Sequence, residues 1–254
     1  MDLPISCQLD DRLGMFRITR ARGKTLSSGG FGVAISTENI VNCEEKSSTG
    51  DTAVVGKIIQ TTHQYLFVEE VLFLHERGLL ECKHASSLEL LDTSQLYQLL
   101  PPLQISLPIY FVYAHLRSQD FRVLRHSTGR MKILRKQDAT GVPDSKLKEF
   151  KRTLRKTLEE APPPMIPDNG LQICFDVYMP NASFSKLNPG LPDFLVATTY
   201  YNESRVSFVE CQKILERCEG IRLKVATVSD SGTVVMFGLT SFGVPVFETK
   251  QDPR

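Results

Sequence analysis

The chain has 254 residues, of which 41% are hydrophobic and 23% charged. This is the composition of an ordinary soluble globular protein, with one large or two small domains. No apolar run approaches the roughly 20 residues that a membrane span needs, and no basic region precedes an apolar segment at the N-terminus, so we expect no membrane association and no signal peptide. Six scattered cysteines without a CxxC motif are expected to be free thiols. We expect no metal, no cofactor and no small-molecule substrate.

The net charge of +1 is unevenly distributed along the chain. Residues 117–156 contain 13 lysines and arginines against 4 aspartates and glutamates, so this block carries +9 and the rest of the chain sums to −8. A basic block in a nearly neutral protein indicates either a polyanionic partner or a solvated linker. The composition alone leaves both open.

The N-terminal third of the chain changes character near residue 65. Residues 1–60 show no clear pattern, and we treat them as a poorly defined extension. The segment YLFVEEVLFLHERG (65–78) carries apolar residues on one side of a helix and places Gly78 where a helix would end. A second, short helix is predicted from Asp92 to the proline pair at 101–102.

A third helix is predicted after Ser106, which can cap it, with Pro108 in its first turn. The apolar residues of one face are Ile109, Val112, Tyr113 and Leu116. The segment FRVLRH (121–126) alternates like a strand. Three short helices followed by a strand predict a helical, winged-helix-like domain over residues 61–126, a unit that binds nucleic acid or serves only for packing.

A basic connector is predicted over residues 127–170. Its core, DSKLKEFKRTLRKTLEEAPPP, has the pattern of an amphipathic helix that Asp144 can cap and Pro162 ends. The apolar stripe of this helix comprises Leu147, Phe150, Leu154 and Leu158. The stripe is most simply a docking face, and the basic residues opposite are either solvated or in contact with RNA.

Residues 171–254 predict a small α/β domain. The strands LQICFDVY (171–178) and FLVATTY (194–200) precede a helix whose start, Ser207 to Glu210, has the form of a capping box. Two further strands, GIRLKVATV and TVVMFGL, are joined by a hairpin signal, SDSG. The fold class expected for the chain is therefore α+β.

Three segments carry a resemblance to a known family: EEVLFLHERGLLE (69–81), YFVYAHLRSQDFRVLRH (110–126) and FDVYMPNASFSKLNPGLPDFLV (175–196). They resemble the tRNA-splicing endonuclease subunits, most of all the large structural, Sen-fifty-four-type subunit of the eukaryotic complex. The resemblance implies that the C-terminal domain is like a tRNA-intron endonuclease. It also implies a nuclear heterotetramer, with two catalytic subunits and one small structural subunit as partners and pre-tRNA as the RNA.

The family's catalytic subunits are similar in using a tyrosine, a histidine and a lysine, and their reaction leaves a 2′,3′-cyclic phosphate. Such chemistry needs a base, an acid and a cation. Tyr178 fits the tyrosine slot, but Pro192 stands in the histidine slot and no histidine follows His126. The lysine slot falls at Leu223 or Lys224, depending on a one-residue register. We therefore expect a non-catalytic subunit, not an enzyme, which helps to position intron-containing pre-tRNA while partner subunits cleave at the splice sites.

The resemblance also implies subunit pairing through sheet edges near the C-terminus and an acidic loop that enters a partner's basic cleft. Asp230 lies either in that loop or in a simple hairpin turn. The apolar strand that follows is either covered on both faces or forms a partner surface; its residues are Val234, Val235, Met236 and Phe237. The residues expected to contact tRNA phosphates are Arg117, Arg122, Arg125, Arg130, Arg135, Lys136, Lys151, Arg152 and Lys156.

Two other functions remain open. One is a catalytically active nuclease subunit of the same family with an unusual acid–base set. The other is a helix-turn-helix regulator that binds DNA or RNA. Against the second, the predicted third helix, SLPIYFVYAHL, is apolar almost throughout, whereas a recognition helix needs Arg, Lys, Asn or Gln facing the bases.

Overall fold

A computed structural model of the chain describes residues 4–21, 26, 29–46, 52–84, 89–140, 165, 171–180, 184–186, 188–201 and 206–240. Within these residues ten strands and five helices form two five-stranded sheets with helices packed on them. The predicted α+β fold class is confirmed. Among the described helices, none has both the length and the apolar character that crossing a membrane requires.

The first sheet has the strand order β3-β4-β2-β1-β5. Its strands are β1 (Ile5–Asp10), β2 (Met15–Arg20), β3 (Val33–Lys46), β4 (Thr52–Leu66) and β5 (Leu80–Lys83). Residues 1–60 thus hold most of a sheet. The long ribbon of β3 and β4 bonds to β2 only through the last two residues of β4. Its sequence, STENIVNCEEK in β3, mixes polar and apolar residues without strict alternation, so the signal of a half-buried strand is missing.

The three helices predicted after residue 65 are confirmed as α1 (Val68–Glu76), α2 (Thr93–Gln98) and α3 (Leu107–Ser118). Local signals set the ends of α1 and α2, whereas Ser106 precedes α3 without a side-chain capping bond to the described residues. Gly78, just beyond α1, has a φ of 66°, which glycine adopts without steric cost. The Asp92 side chain accepts a hydrogen bond from the backbone N–H of Gln95 and caps α2. The four residues predicted on one face of α3 are all buried.

The second sheet has the strand order β10-β9-β8-β7-β6. Its strands are β6 (Arg122–Arg125), β7 (Gln172–Tyr178), β8 (Phe194–Tyr200), β9 (Leu223–Val228) and β10 (Val234–Leu239). All five were predicted as strands. β6 was assigned to the N-terminal domain, yet it pairs antiparallel with β7 at the edge of the second sheet. The proposed division into domains at residues 60, 126 and 170 remains a prediction.

Two more helices cover the second sheet, α4 (Thr128–Thr140) and α5 (Phe208–Cys218). The capping box that opens α5 is confirmed, since Ser207 and Glu210 bond reciprocally. Helix α4 was not predicted, because it is mostly polar and buries few residues, among them Met131 and Leu134. The amphipathic helix predicted between Asp144 and Pro162 lies outside the described residues.

The second sheet is packed on both faces. Its inner face, with Phe175 and Val196, belongs to the main core that also contains α1, α3 and the first sheet. Its outer face, with Leu195 and Leu223, packs under α5, and α4 adds a smaller cluster beside it. The positions of the candidate site residues are described below relative to these inner and outer faces.

Candidate functional site

Tyr178 ends β7 on the outer face of the second sheet and is only 4% exposed. Its hydroxyl donates to the carbonyl of Gly190 at 3.3 Å, and its ring centroid lies 5.1 Å from that of Phe184. Burial, assisted by the charge of Asp176, raises the pKa of Tyr178 above its ordinary value. Tyr178 is thus a buried, neutral phenol. By bonding to the backbone of Gly190, it holds the residues that follow β7 against the strand.

The histidine slot closes the same segment. Pro192 is buried. Asp193, beside it, accepts a hydrogen bond from the backbone N–H of Met179 at 2.7 Å, and its own N–H donates to Val177 at 3.0 Å. Both bonds tie the start of β8 to the end of β7. Neither residue offers the imidazole that acid–base chemistry at this position would use.

The strand register separates the two lysine-slot candidates. Leu223 is 2% exposed and packs under α5, as expected for a core position. Lys224 lies on the inner face, where its ammonium sits 4.0 Å from the ring centroid of Phe194. Val177 pairs with Phe194, so the next residue, Tyr178, points to the opposite face. Tyr178 and Lys224 are therefore not brought together, and the residue that shares the outer face with Tyr178 is Leu223.

Another lysine is close to the tyrosine in sequence, but it has a structural contact. Lys186 donates to the carbonyl of Gly32 at 2.9 Å and forms an ion pair of 3.0 Å with Glu70 at the start of α1. Glu70 also accepts from the backbone N–H groups of Gly32 and Phe67. Burial lowers the pKa of Lys186, while Glu70 opposes the shift. The residues after β7 are thus fastened to the first half of the chain.

Two arginines of the predicted RNA-binding set are engaged inside the protein. Arg125 in β6 makes two hydrogen bonds of 2.6 Å to the carboxylate of Glu69, which is 2% exposed. Arg117 in α3 is 7% exposed and donates to the carbonyls of Gly29 and Phe121 at 2.8 and 2.7 Å. Bonds of this kind hold α1, α3 and β6 together. They leave neither guanidinium at the surface for an RNA phosphate.

Arg130 belongs to a buried network that the sequence analysis missed. It donates to Asp176 at 2.5 Å and to the carbonyl of Arg125. The other oxygen of Asp176, which is fully buried, lies 2.6 Å from Nδ1 of His126. Histidine and aspartate lie 50 positions apart, and an aspartate between Phe175 and Val177 is expected on the polar face of a strand, so no local pattern indicated the pair.

The other predicted RNA-binding residues are less enclosed. Arg122 is half-buried, and Lys136 is exposed. Arg135 donates to the carbonyl of Cys218 at 2.7 Å and pairs with Glu219 at 2.6 Å, where it covers the end of α5. Three residues of the set lie outside the described residues: Lys151, Arg152 and Lys156.

The predicted subunit-interface strand, β10, has two different sides. Val234 and Met236 pack against the main core, whereas Val235 and Phe237 are 59% and 49% exposed. The strand pairs with β9 on one side, and within the described residues no strand pairs with its other side. The hairpin of Asp230 is closed by hydrogen bonds between Ser229 and Thr233.

The described parts of the site do not assemble a base, an acid and a cation around one reacting position. Tyr178 is buried, Lys224 lies on the other face, and the ring of His126 is bound to Asp176. Among the described residues, no three His, Cys, Asp or Glu side chains are grouped so that they could hold a metal ion.

Comparison with known proteins gives one informative similarity. The chain is 33% identical over 119 residues to a protein from Schizosaccharomyces pombe named probable tRNA-splicing endonuclease subunit sen54. The matched region is 47% of this chain but only 29% of the length of that relative. No model of a known protein family matches the chain. The chain therefore resembles a Sen54-type tRNA-splicing endonuclease subunit over about half of its length.

Proposed function

We propose that this chain is a non-catalytic structural subunit of a tRNA-splicing endonuclease complex, which assists in recognising and positioning intron-containing pre-tRNA for cleavage by partner subunits. The similarity to the sen54 protein supports the choice of complex. The proposal extends to a nuclear location and to a heterotetramer with two catalytic subunits and one small structural subunit.

The observation that carries the non-catalytic role is the enclosure of Tyr178. We call Tyr178, its contact residues Phe184 and Gly190, and Lys186 of the same segment the tyrosine frame. The hydroxyl of Tyr178 is bonded to Gly190 and covered, and the residues beside it are fastened by the pair of Lys186 and Glu70. A general base must come within about 3 Å of the proton that it abstracts, directly or through one water. Tyr178 is enclosed by residues of the same chain, and the histidine slot holds Pro192. Both observations support a subunit that keeps the fold of the nuclease site but does not cleave RNA.

The fold supports two finer assignments within this proposal. The second sheet, including β6, with α5 would be the nuclease-like domain, and α1 to α3 would be the winged-helix-like unit. The exposed side chains of Val235 and Phe237, on an edge strand, suit a partner's sheet edge. Helix α3 has its apolar face buried in the main core, which argues against a recognition helix of a DNA-binding regulator.

The test of membership in the complex is co-purification of the tagged chain from its own cells. We expect two histidine-bearing nuclease-like subunits and one small subunit to elute with it in equal amounts. Recovery of the chain alone, at physiological salt and without cross-linking, would contradict the structural-subunit role.

The test of the non-catalytic role uses the same purified complex. Tyr178→Phe and Lys224→Met should leave the rate of pre-tRNA cleavage at both splice sites unchanged. Because each substitution removes a group that the reaction would need, a loss of about a hundredfold or more with intact assembly would support the active-nuclease alternative instead.

A further inference from the structure

Two neighbouring arginines at the edge of the tyrosine frame form no ion pair with a carboxylate in the part of the chain that the structure describes. Arg125 and Arg130 are neutralised by Glu69 and Asp176. Among the described residues, Arg117 instead donates to two backbone carbonyls, and the acceptor of Arg122 is the carbonyl of Asp120, at 3.1 Å. Charges that are partly removed from water are normally paired, so two uncompensated ones side by side need an explanation.

The two arginines act on each other. Burial, followed by the positive charge of Arg117, lowers the pKa of Arg122. The carboxylate of Asp120, which is exposed, raises the pKa of Arg122 and so opposes this effect, but it forms no ion pair with Arg122 within the described residues. The site therefore holds a surplus of positive charge that an anion would relieve.

Arg122 is the member of the pair that a ligand can reach. Arg117 is 7% exposed, and its guanidinium stacks 4.0 Å from the ring centroid of Phe31. Arg122 is half-buried. Its Nε is buried and has no hydrogen-bond partner among the described residues, so a ligand would meet the terminal nitrogens, of which only Nη1 has an acceptor in the described part of the chain. The aliphatic part of the Arg122 side chain packs against Gly30. A Cβ added to Gly30 would lie 3.2 Å from Cδ of Arg122 and 3.2 Å from the Phe184 ring.

The position of Arg122 connects it to the tyrosine frame. Arg122 in β6 is the direct register partner of Tyr178 in β7, so the two side chains share the outer face of the sheet edge. Helix α4 begins three residues beyond β6 and adds the exposed Lys132. An uncompensated positive charge at Arg122, with a further exposed cation on the next element, suits a polyanion better than a single carboxylate.

We propose that Arg122, with the charge of Arg117 behind it, binds a phosphodiester group of pre-tRNA at the edge of the tyrosine frame. This inference rests on the proposed function and adds a specific contact to it: the frame that no longer cleaves RNA holds its backbone. The guanidinium donates to the phosphate oxygens, and no bond is made or broken.

The experiment measures binding of labelled pre-tRNA to the full chain, in its complex, over a series of salt concentrations. Arg122→Gln should weaken binding by about tenfold at low salt and reduce the slope of log K against log salt by about one. Arg122→Lys, which keeps the charge but not the fork of donors, should recover the slope and part of the affinity. The matched control is Arg12→Gln, an exposed arginine in the turn between β1 and β2, which should keep the wild-type slope.

The outcomes separate this inference from the proposed function. Wild-type binding with an unchanged slope in Arg122→Gln, or an equal loss in Arg12→Gln, overturns the site and leaves the structural-subunit role standing. If the wild-type complex binds no pre-tRNA, inorganic phosphate replaces the RNA as the probe, at constant ionic strength. A rise in Tm with phosphate that Arg122→Gln abolishes would then assign the site to a free anion, and this too would overturn the RNA contact.

Discussion

The two edges of the second sheet use opposite kinds of residues. At the β6 edge, Arg125 and Arg130 are buried against Glu69 and Asp176. At the β10 edge, Val235 and Phe237 are exposed to solvent. Charged residues thus lie inside and apolar residues outside, the reverse of the usual distribution. The β6 edge is joined to the rest of the same chain, whereas no strand of the described residues pairs with the outer side of β10.

The strongest test of the β6 edge is removal of the buried carboxylate in Asp176→Ala. This change leaves the guanidinium of Arg130, which is 3% exposed, without a counterion, and should cost about 3–5 kcal/mol in the free energy of unfolding. Denaturant titration of the chain in its complex measures it. The control is Glu219→Gln, which breaks the pair with Arg135 at a carboxylate that is 62% exposed and should change stability by less than about 1 kcal/mol.

A double variant distinguishes a lost ion pair from a lost side chain. Arg130→Met in the Asp176→Ala background removes the orphaned charge, so part of the lost stability should return. If the loss of unfolding free energy in the double variant equals the sum of the losses in Asp176→Ala and Arg130→Met alone, the two side chains are not coupled, contrary to their geometry.

The corresponding test of the β10 edge is Phe237→Glu. Because the side chain is 49% exposed, the Tm of the isolated chain should hardly change. If the edge is a subunit interface, the charge should weaken assembly by about 2 kcal/mol, or roughly thirtyfold in Kd, measured by quantitative co-purification or calorimetry. Leu79→Glu, at a side chain 42% exposed and far along the chain from β10, is the matched control. Equal assembly of both variants would remove β10 from the interface.

Tyr178 lies beside the β6 edge and should behave as part of it. Tyr178→Phe removes one neutral hydrogen bond to Gly190 and should cost about 0.5–1.5 kcal/mol in unfolding free energy. Tyr178→Ala also removes a ring packed on Phe184 and should cost about 3–5 kcal/mol. Losses of this order, with unchanged cleavage by the complex for Tyr178→Phe, would identify a packing residue. A Tyr178→Phe variant with full stability but weakened RNA binding would indicate an RNA contact instead.

The contrast between the edges also explains what the sequence could predict. Local signals were sufficient for the caps of α2 and α5 and for the assignment of β7 and β8 as strands, since each depends on residues a few positions apart. The bond of Arg125 to Glu69 spans 56 positions and that of Lys186 to Glu70 spans 116. A basic residue looks the same in sequence whether it faces water or a buried carboxylate, so the basic block was assigned to RNA as a whole.

The candidate site shows the same limit. The proline in the histidine slot could be read from the sequence, whereas the choice between Leu223 and Lys224 needed the strand register, because a shift of one residue exchanges the faces. The closure of the frame by Lys186 and Gly190 depends on contacts between distant segments. These contacts decide whether a retained tyrosine is accessible.

The smallest expected effect concerns the cap of α5, the helix beside the β10 edge. Glu210 accepts from the backbone N–H of Ser207 at 2.8 Å and from its hydroxyl at 2.9 Å, and these bonds lower the pKa of Glu210. Its folded pKa is below the value of about 4.3 for an unfolded glutamate, so the contribution to stability is complete above that pH. This contribution is lost as the pH falls through the folded pKa.

The measurement is the Tm of Glu210→Gln and of the wild type as a function of pH. The two values should differ above about pH 5 and converge in more acidic solution. Glu216→Gln, in the last turn of the same helix, lacks a capping bond to Ser207 and should not show this convergence. A constant difference between Glu210→Gln and the wild type at all pH values would mean that the ionised carboxylate does not stabilise the cap. The helix beside the exposed edge would then be held by packing alone.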